Sequence, residues 1–304
     1  MLDFGDLFNM QGMLFSLMAL GMLLRRSGIV SEEGRAVMTE LILNVTLPCA
    51  IVKSFQIPFD RKIVEQCLAI FVVAVSVQVM CQILARLLYP HLPDRKRKVA
   101  QYGTLCSNGG VLGNPVAEGI FGPIGLLWAS VYLIPQRIFM WSFGLAYFTE
   151  TEDGGSVIKR IATHPCILAV GLGLLLMVSQ LSLPAFLDMA VRSVANANTA
   201  LSMMLVGTFL AGVKAGTLAD ADTLWYSFVR LILIPGLVCL GCRLAGLDDR
   251  VTGVSVVLTG MPIACVTPIL AAKYGGDELF ATRCLVLSTL LSMATIPLWC
   301  LFLA

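Results

Sequence analysis

Apolar residues in this chain come in long runs separated by short polar stretches. A helix that crosses a bilayer needs about 20 apolar residues, and reading for such runs predicts ten spans. They run from about Leu7 to Leu24, Val37 to Phe55, Ile63 to Tyr89, Val99 to Phe121 and Ile124 to Phe148. The rest run from about Ile161 to Leu181, Leu187 to Val213, Leu224 to Leu247, Val251 to Tyr274 and Leu279 to Leu303. The most hydrophilic stretch, Thr149 to Gly155, falls at the midpoint. The expected fold is therefore an all-α polytopic membrane protein in two halves, residues 1–150 and 161–304, joined by a cytoplasmic linker at 151–160. Five spans per half would force two related halves into opposite membrane orientations. Leu92-Pro93-Asp94-Arg95 before span 4 resembles Leu247-Asp248-Asp249-Arg250 before span 9, which supports an inverted repeat.

Spans 4 and 9 carry residues that a continuous helix tolerates poorly. Span 4 contains Ser107-Asn108-Gly109-Gly110-Val111-Leu112-Gly113-Asn114-Pro115, and span 9 contains Thr259-Gly260-Met261-Pro262 and then Thr267-Pro268. Glycine and proline both weaken a helix interior. Asn114 and Thr267 are good N-cap types, and proline is favoured at the first helical position. New half-helices are therefore expected at Pro115 and Pro268, both starting near the middle of the bilayer. Unwound backbone at that depth belongs beside a cavity or in a protein interior, and helix N-termini favour an anion. The plainer alternative is a pair of kinks that ease packing.

Composition agrees with a membrane solvent. Hydrophobic residues make up 58% of the chain and charged ones only 13%, and the mean hydropathy is +0.86. The net charge of +2 comes without a basic stripe, so no nucleic-acid partner is expected. The ten cysteines are scattered through apolar runs, and Cys239 to Cys242 lies within one; neither pattern predicts disulfides or a metal. No HExxH, nucleophile elbow or P-loop occurs, so no cofactor and no catalytic set is expected. Asp3 and Asp6 stand where a signal peptide carries cations, so no cleavable signal is expected.

Lysines and arginines orient the spans. One set of loops holds 13 of them (Arg25, Arg26, Arg35, Arg86, Arg95, Lys96, Arg97, Lys98, Lys159, Arg160, Lys214, Lys273 and Arg283) and the other holds six (Lys53, Arg61, Lys62, Arg192, Arg243 and Arg250). The richer set should face the cytoplasm, which places both termini outside. Arg137 and Arg230 fall inside spans. Arg137 fits either a cation for a substrate carboxylate or an ion pair within the bundle. Arg230 is closer to a span end and is expected to snorkel. Glu118 fits a proton carrier or a stabiliser of a helix start. Asn44, Asn196 and Asn198 fit either a cavity lining or hydrogen bonds between helices.

Asn108, Gly113, Pro115 and Gly122 in span 4, the proline, lysine and tyrosine of Pro268 to Tyr274 in span 9, and Leu47-Pro48 in span 2 resemble the auxin efflux carrier family. That family includes plant auxin exporters and bacterial transporters of malonate and related acids, and the resemblance is to a bacterial member. It covers nearly the whole chain. The short central loop is shared with bacterial relatives, whereas Gly109-Gly110 stand where the plant proteins carry bulkier residues. The resemblance implies ten helices as two inverted five-helix repeats, similar to bile acid symporters and sodium/proton antiporters. It further implies a scaffold of spans 1, 2, 6 and 7, a transport core of spans 3–5 and 8–10, homodimers, and a place in the bacterial inner membrane.

The resulting expectation is a secondary active transporter of a small organic anion, malonate-like or auxin-like, working by alternating access of the core. The expected substrate contacts are Asn108, Gly109, Gly110, Gly113, Asn114, Pro115, Pro262, Thr267, Pro268, Arg137, Asn44 and Asn198, with Glu118 as the residue for a coupling proton and sodium as the other coupling ion. A sodium- or proton-coupled carrier of the same fold for bile-acid-like compounds or inorganic cations is the alternative. An intramembrane enzyme would need a nucleophile with a base, or a metal set, within the spans. A channel would need a filter or charged ring. The sequence offers none of these.

Overall fold

The computed structural model describes residues 4–56, 60–144, 146–148, 163–211 and 218–303. The linker expected at 151–160, with Lys159, Arg160 and Lys214 of the cation tally, lies outside them. The described chain is helical: α1 (Phe4–Arg26), α2 (Glu32–Leu41), α3 (Leu47–Ser54), α4 (Arg61–Leu87), α5 (Asp94–Leu105), α6 (Asn114–Phe121), α7 (Pro123–Phe139), α8 (Pro165–Ser179), α9 (Ala185–Asn196), α10 (Asn198–Leu210), α11 (Ala221–Phe228), α12 (Ile234–Leu244), α13 (Asp249–Thr259), α14 (Thr267–Lys273) and α15 (Glu278–Leu303).

The expectation of ten spans in two inverted five-helix repeats is not met. Among the described residues four helical stretches are long and apolar enough to cross a membrane: Glu32–Ser54, Arg61–Leu87, Ala221–Leu244 and Glu278–Leu303. The physical reason is that a run of apolar letters measures sequence and not unbroken helix. The run read as span 4 is divided between α5 and α6, that of span 9 between α13 and α14, and that of span 7 between α9 and α10 at Ala197. The run read as span 6 yields a helix of 15 residues.

Three prolines act alike. Pro48, Pro115 and Pro235 each follow a five-residue π turn, at Ile42–Thr46, Gly109–Gly113 and Val229–Leu233, with one residue between turn and proline. A proline has no N–H for the carbonyl four residues back, and its ring crowds that carbonyl. Widening the preceding turn relieves both problems while the helix continues.

The chain forms two compact units. The first comprises residues 1–67, 110–131 and 162–212, the second residues 68–109, 132–161 and 213–304. In the first, α1 and α10 meet at glycines. A Cβ on Gly21 would lie 2.0 Å from the Met204 carbonyl oxygen, and one on Gly207 would lie 1.9 Å from that of Met18. Only glycine permits so close an approach. Ala50 of α3, Ala195 of α9 and Leu126 form a buried cluster in the same unit, with Cys49 packed against it.

In the second unit the helix starts are tied by polar contacts. Lys96 Nζ lies 2.7 Å from Asp222 Oδ2, and Arg283 Nη1 lies 3.4 Å from Asp220 Oδ2. Arg95 donates to the carbonyls of Gly275 and Gly276 at 3.1 Å. The aspartates noted in the sequence before spans 4 and 9 do start helices: Asp94 opens α5, and Asp248 caps α13 by accepting from the Arg250 N–H.

Candidate functional site

The second unit contains two interrupted helices that touch at their breaks. After α5 the chain is extended at Cys106, and after α13 it is irregular from Gly260 to Val266. Pro262 accounts for the second break, because it cannot donate to the carbonyl of Leu258, which instead accepts from the Met261 N–H at 3.4 Å. The two irregular segments pair antiparallel at Ser107 and Ile263. The Asn108 N–H donates to the Pro262 carbonyl at 2.8 Å, and the Ala264 N–H donates to the Cys106 carbonyl at 3.1 Å. Pairing of this kind satisfies main-chain groups that have neither helix nor water.

Side chains reinforce the crossing. Gln136 of α7 grips Ser107 twice: its Nε2 donates to the Ser107 carbonyl and its Oε1 accepts from Ser107 Oγ, both at 2.8 Å. Asn108 Nδ2 donates to the Cys265 sulfur at 3.0 Å. The Tyr132 and Thr259 hydroxyls lie 2.8 Å apart. The Thr267 hydroxyl donates to the Ala264 carbonyl at 2.8 Å. Arg230 donates Nε to the Met261 carbonyl and Nη1 to the Thr104 carbonyl, each at 2.9 Å.

Several site expectations change. Helical structure after the first break resumes at Gly109, with the π turn running straight into α6, so the half-helix does not begin at Pro115. The Asn-Pro pair that reads as a cap and first position marks a π turn inside a helix. Gly113 and Val266, rather than Asn114 and Thr267, hold the N-cap positions, and neither makes a side-chain cap. Arg230 does not snorkel: it is 3% exposed and binds two carbonyls. An arginine inside an apolar run, five residues before a proline, is the one sequence signal for it. Nothing in the residue types alone distinguished Ser107 and Gln136.

The expected contacts divide between the units. Asn108, Gly109, Arg137, Pro262, Thr267 and Pro268 belong to the second, and Gly110, Gly113, Asn114, Pro115, Glu118, Asn44 and Asn198 to the first. Asn108 and Pro262 are brought together directly. Gly109 is buried, and a Cβ there would meet the Leu133 side chain at 2.6 Å. Arg137 is 7% exposed, and its Nη1 has no hydrogen-bond partner among the described residues. In the first unit both amide atoms of fully buried Asn114 likewise lack a partner. Asn198 Oδ1 accepts from the Thr46 hydroxyl at 3.0 Å while its Nδ2 has no partner, Asn196 accepts from Lys53, and Asn44 is exposed. Glu118 is half-buried and faces Lys53 and the Thr199 hydroxyl.

Comparison with known proteins places the chain in a family. The family described as "Membrane transport protein" matches residues 12–157 and again 154–300. An uncharacterized transporter of the archaeon Methanothermobacter thermautotrophicus is 27% identical over 93% of this chain and 94% of its own length. The uncharacterized transporter MJ1031 of Methanocaldococcus jannaschii is 24% identical over 90% and 91%, and the uncharacterized transporter YfdV of Escherichia coli K12 is 25% identical over 93% of each. The family carries out transport rather than catalysis, and the chain works in contact with lipid on a small substrate. With the two matched stretches together spanning nearly its whole length, the chain is a multi-pass member of the membrane transport protein family, the auxin efflux carrier transporters of bacteria and archaea.

Proposed function

We propose that the protein is a secondary active transporter of a small organic anion, a mono- or dicarboxylate, and that it works by alternating access. The observation that carries this reading is Arg137. A guanidinium is charged at every physiological pH, and leaving its buried Nη1 without an acceptor, as it is among the described residues, is costly. A substrate carboxylate supplies the missing acceptor in the geometry a guanidinium prefers. Arg137 follows Gln136, whose side chain holds Ser107, so the cation is on the helix that anchors the crossing.

Asn108 is the proposed second contact, beside backbone at Gly109, Pro262, Thr267 and Pro268. Taken by itself, the first unit offers Asn114 and Asn198, each with an amide atom that has no partner among the described residues, as proposed polar contacts, with Gly110, Gly113 and Pro115 shaping the backbone. Asn44, exposed on the first unit, is proposed as a further polar contact. Glu118 is proposed to carry a coupling proton. The working form is proposed to be a homodimer in the bacterial inner membrane. The basic run Arg95 to Lys98 is proposed to face the cytoplasm, with both termini outside.

The test is thermal melting of detergent-purified protein with a panel of mono- and dicarboxylates, followed by counterflow in liposomes. A ligand of the native state raises the midpoint in a saturable way. Stabilisation by one or more carboxylates, with counterflow of the same compound, is the expected result. Stabilisation only by neutral or cationic compounds would reject an anion carrier.

A further inference from the structure

Two helices end where the broken segments meet, and each end exposes backbone carbonyls. In a continuous helix the Thr104 carbonyl would receive the N–H of Asn108, four residues on. That N–H goes to Pro262 instead, so the Thr104 oxygen is left over. Met261 stands two residues beyond the end of α13, also with its carbonyl outside any helix. A helix C-terminus carries roughly half a negative elementary charge. Two such ends, in a region that excludes water, call for about one positive charge.

Unwound carbonyls and half-helix C-termini are the groups with which transporters coordinate sodium. Here both oxygens are already taken by one guanidinium, at 2.9 Å each. Both bonds run to main-chain carbonyls and not to a carboxylate, so the arginine's charge is spent on the helix ends. Its position is fixed by the fold: Arg230 lies in the π turn Val229–Leu233 that precedes Pro235, and Trp299 Nε1 binds the next carbonyl, that of Leu231, at 2.9 Å.

We propose that Arg230 is a built-in counter-cation for the two helix ends at the crossing, holding the place that a bound sodium ion would fill, so that this transporter runs without sodium. The inference rests on the chain being a carrier, but not on which anion it carries. Arg230 is a positioning residue: it keeps the two breaks aligned and touches no substrate. Coupling is thereby left to a group elsewhere, such as Glu118.

The experiment is thermal melting of the purified full-length protein. For the native chain, the midpoint is expected to be the same in sodium chloride and choline chloride at equal ionic strength. Arg230→Ala is expected to melt several degrees lower and to regain most of that loss in millimolar guanidinium, while urea at the same concentration, which is nearly the same shape but neutral, does nothing. Saturable stabilisation of the native chain by sodium would overturn the proposal. So would an Arg230→Ala variant that neither additive restores, or that both restore equally. Should Arg230→Ala not fold, Arg230→Lys keeps the charge and is expected to fold and to melt below the native chain, again without a response to sodium; a response to sodium there overturns the idea. Liposome counterflow is run separately: its absence in the native protein would count against transport and leave the melting result intact.

Discussion

The main-chain N–H of Asn108 donates to the carbonyl of Pro262 at 2.8 Å, joining two helices at the point where both are broken. That bond belongs to the backbone and survives any side-chain change other than proline. Among the described residues the Asn108 side chain itself gives one bond, to a thiol sulfur, which is a weak acceptor. Asn108→Ala should therefore cost the ligand-free protein little, about 1 kcal/mol or less, while weakening every carboxylate that binds. Melting without ligand, set beside ligand-induced stabilisation, separates the two effects. An unchanged ligand response would move the site away from Asn108.

Arg137→Gln should weaken a dicarboxylate more than a matched monocarboxylate, because the second carboxylate needs a full charge. A hydrogen bond to a charged group is worth about 1.5–3 kcal/mol, so the extra loss should be roughly ten- to a hundredfold in affinity. Arg137→Lys should recover only part of it, since lysine lacks the planar fork. Calorimetry on the ligand pair decides the point. Equal losses for both ligands would make Arg137 a structural residue.

Glu118 sits half-buried opposite Lys53 and Thr199. Glu118→Gln keeps the hydrogen-bonding shape and removes the proton site. Substrate binding should persist while uptake stops responding to an imposed pH gradient. A response of native size would assign the coupling proton to another group.

The N-terminus of α11 gives a prediction about stability and pH. Burial raises the Asp220 carboxyl, but hydrogen bonds from the Thr223 N–H and hydroxyl, with the charges of Lys96 and Arg283, outweigh it and hold the group below its ordinary range. A group whose folded value is depressed stabilises the fold above its unfolded value and loses that contribution as the pH falls through the folded one. The native midpoint should thus drop on acidification through the carboxylate range, and that of Asp220→Asn should drop less. Asp220→Ala, which also deletes the cap, should cost about 1 kcal/mol near neutrality. Parallel acid profiles for the native chain and Asp220→Asn would contradict this account.

Much of the architecture was legible in the residues. The apolar runs identified a membrane protein, and Ser107 to Gly113 and Gly260 to Pro268 marked the broken segments. The number of spans was not legible, because hydrophobicity reports what a residue dissolves in and not whether its neighbours continue the helix. Asn114-Pro115 illustrates the same limit at one position. An asparagine before a proline suits a helix start, and it equally suits a π turn that lets a helix pass a proline without stopping. What decided between them was Gly109, where the helix resumes after the pairing of Ser107 with Ile263. That pairing joins positions far apart in sequence, so no local pattern could announce it. Arg230 meets the same limit: its partners, Thr104 and Met261, lie on other elements, so its burial has no local signature.

The contact between α1 and α10 has a mechanical consequence. Gly21 receives the Met204 carbonyl and Gly207 receives that of Met18, so each helix is notched where the other protrudes. A joint with matching notches has one seating. Sliding either helix along its axis would bring a side chain where only a hydrogen atom fits, so the pair can be carried as a piece but cannot be sheared. Any motion this carrier makes during its cycle must therefore leave that joint closed, and the first unit's α1 and α10 travel or stay together.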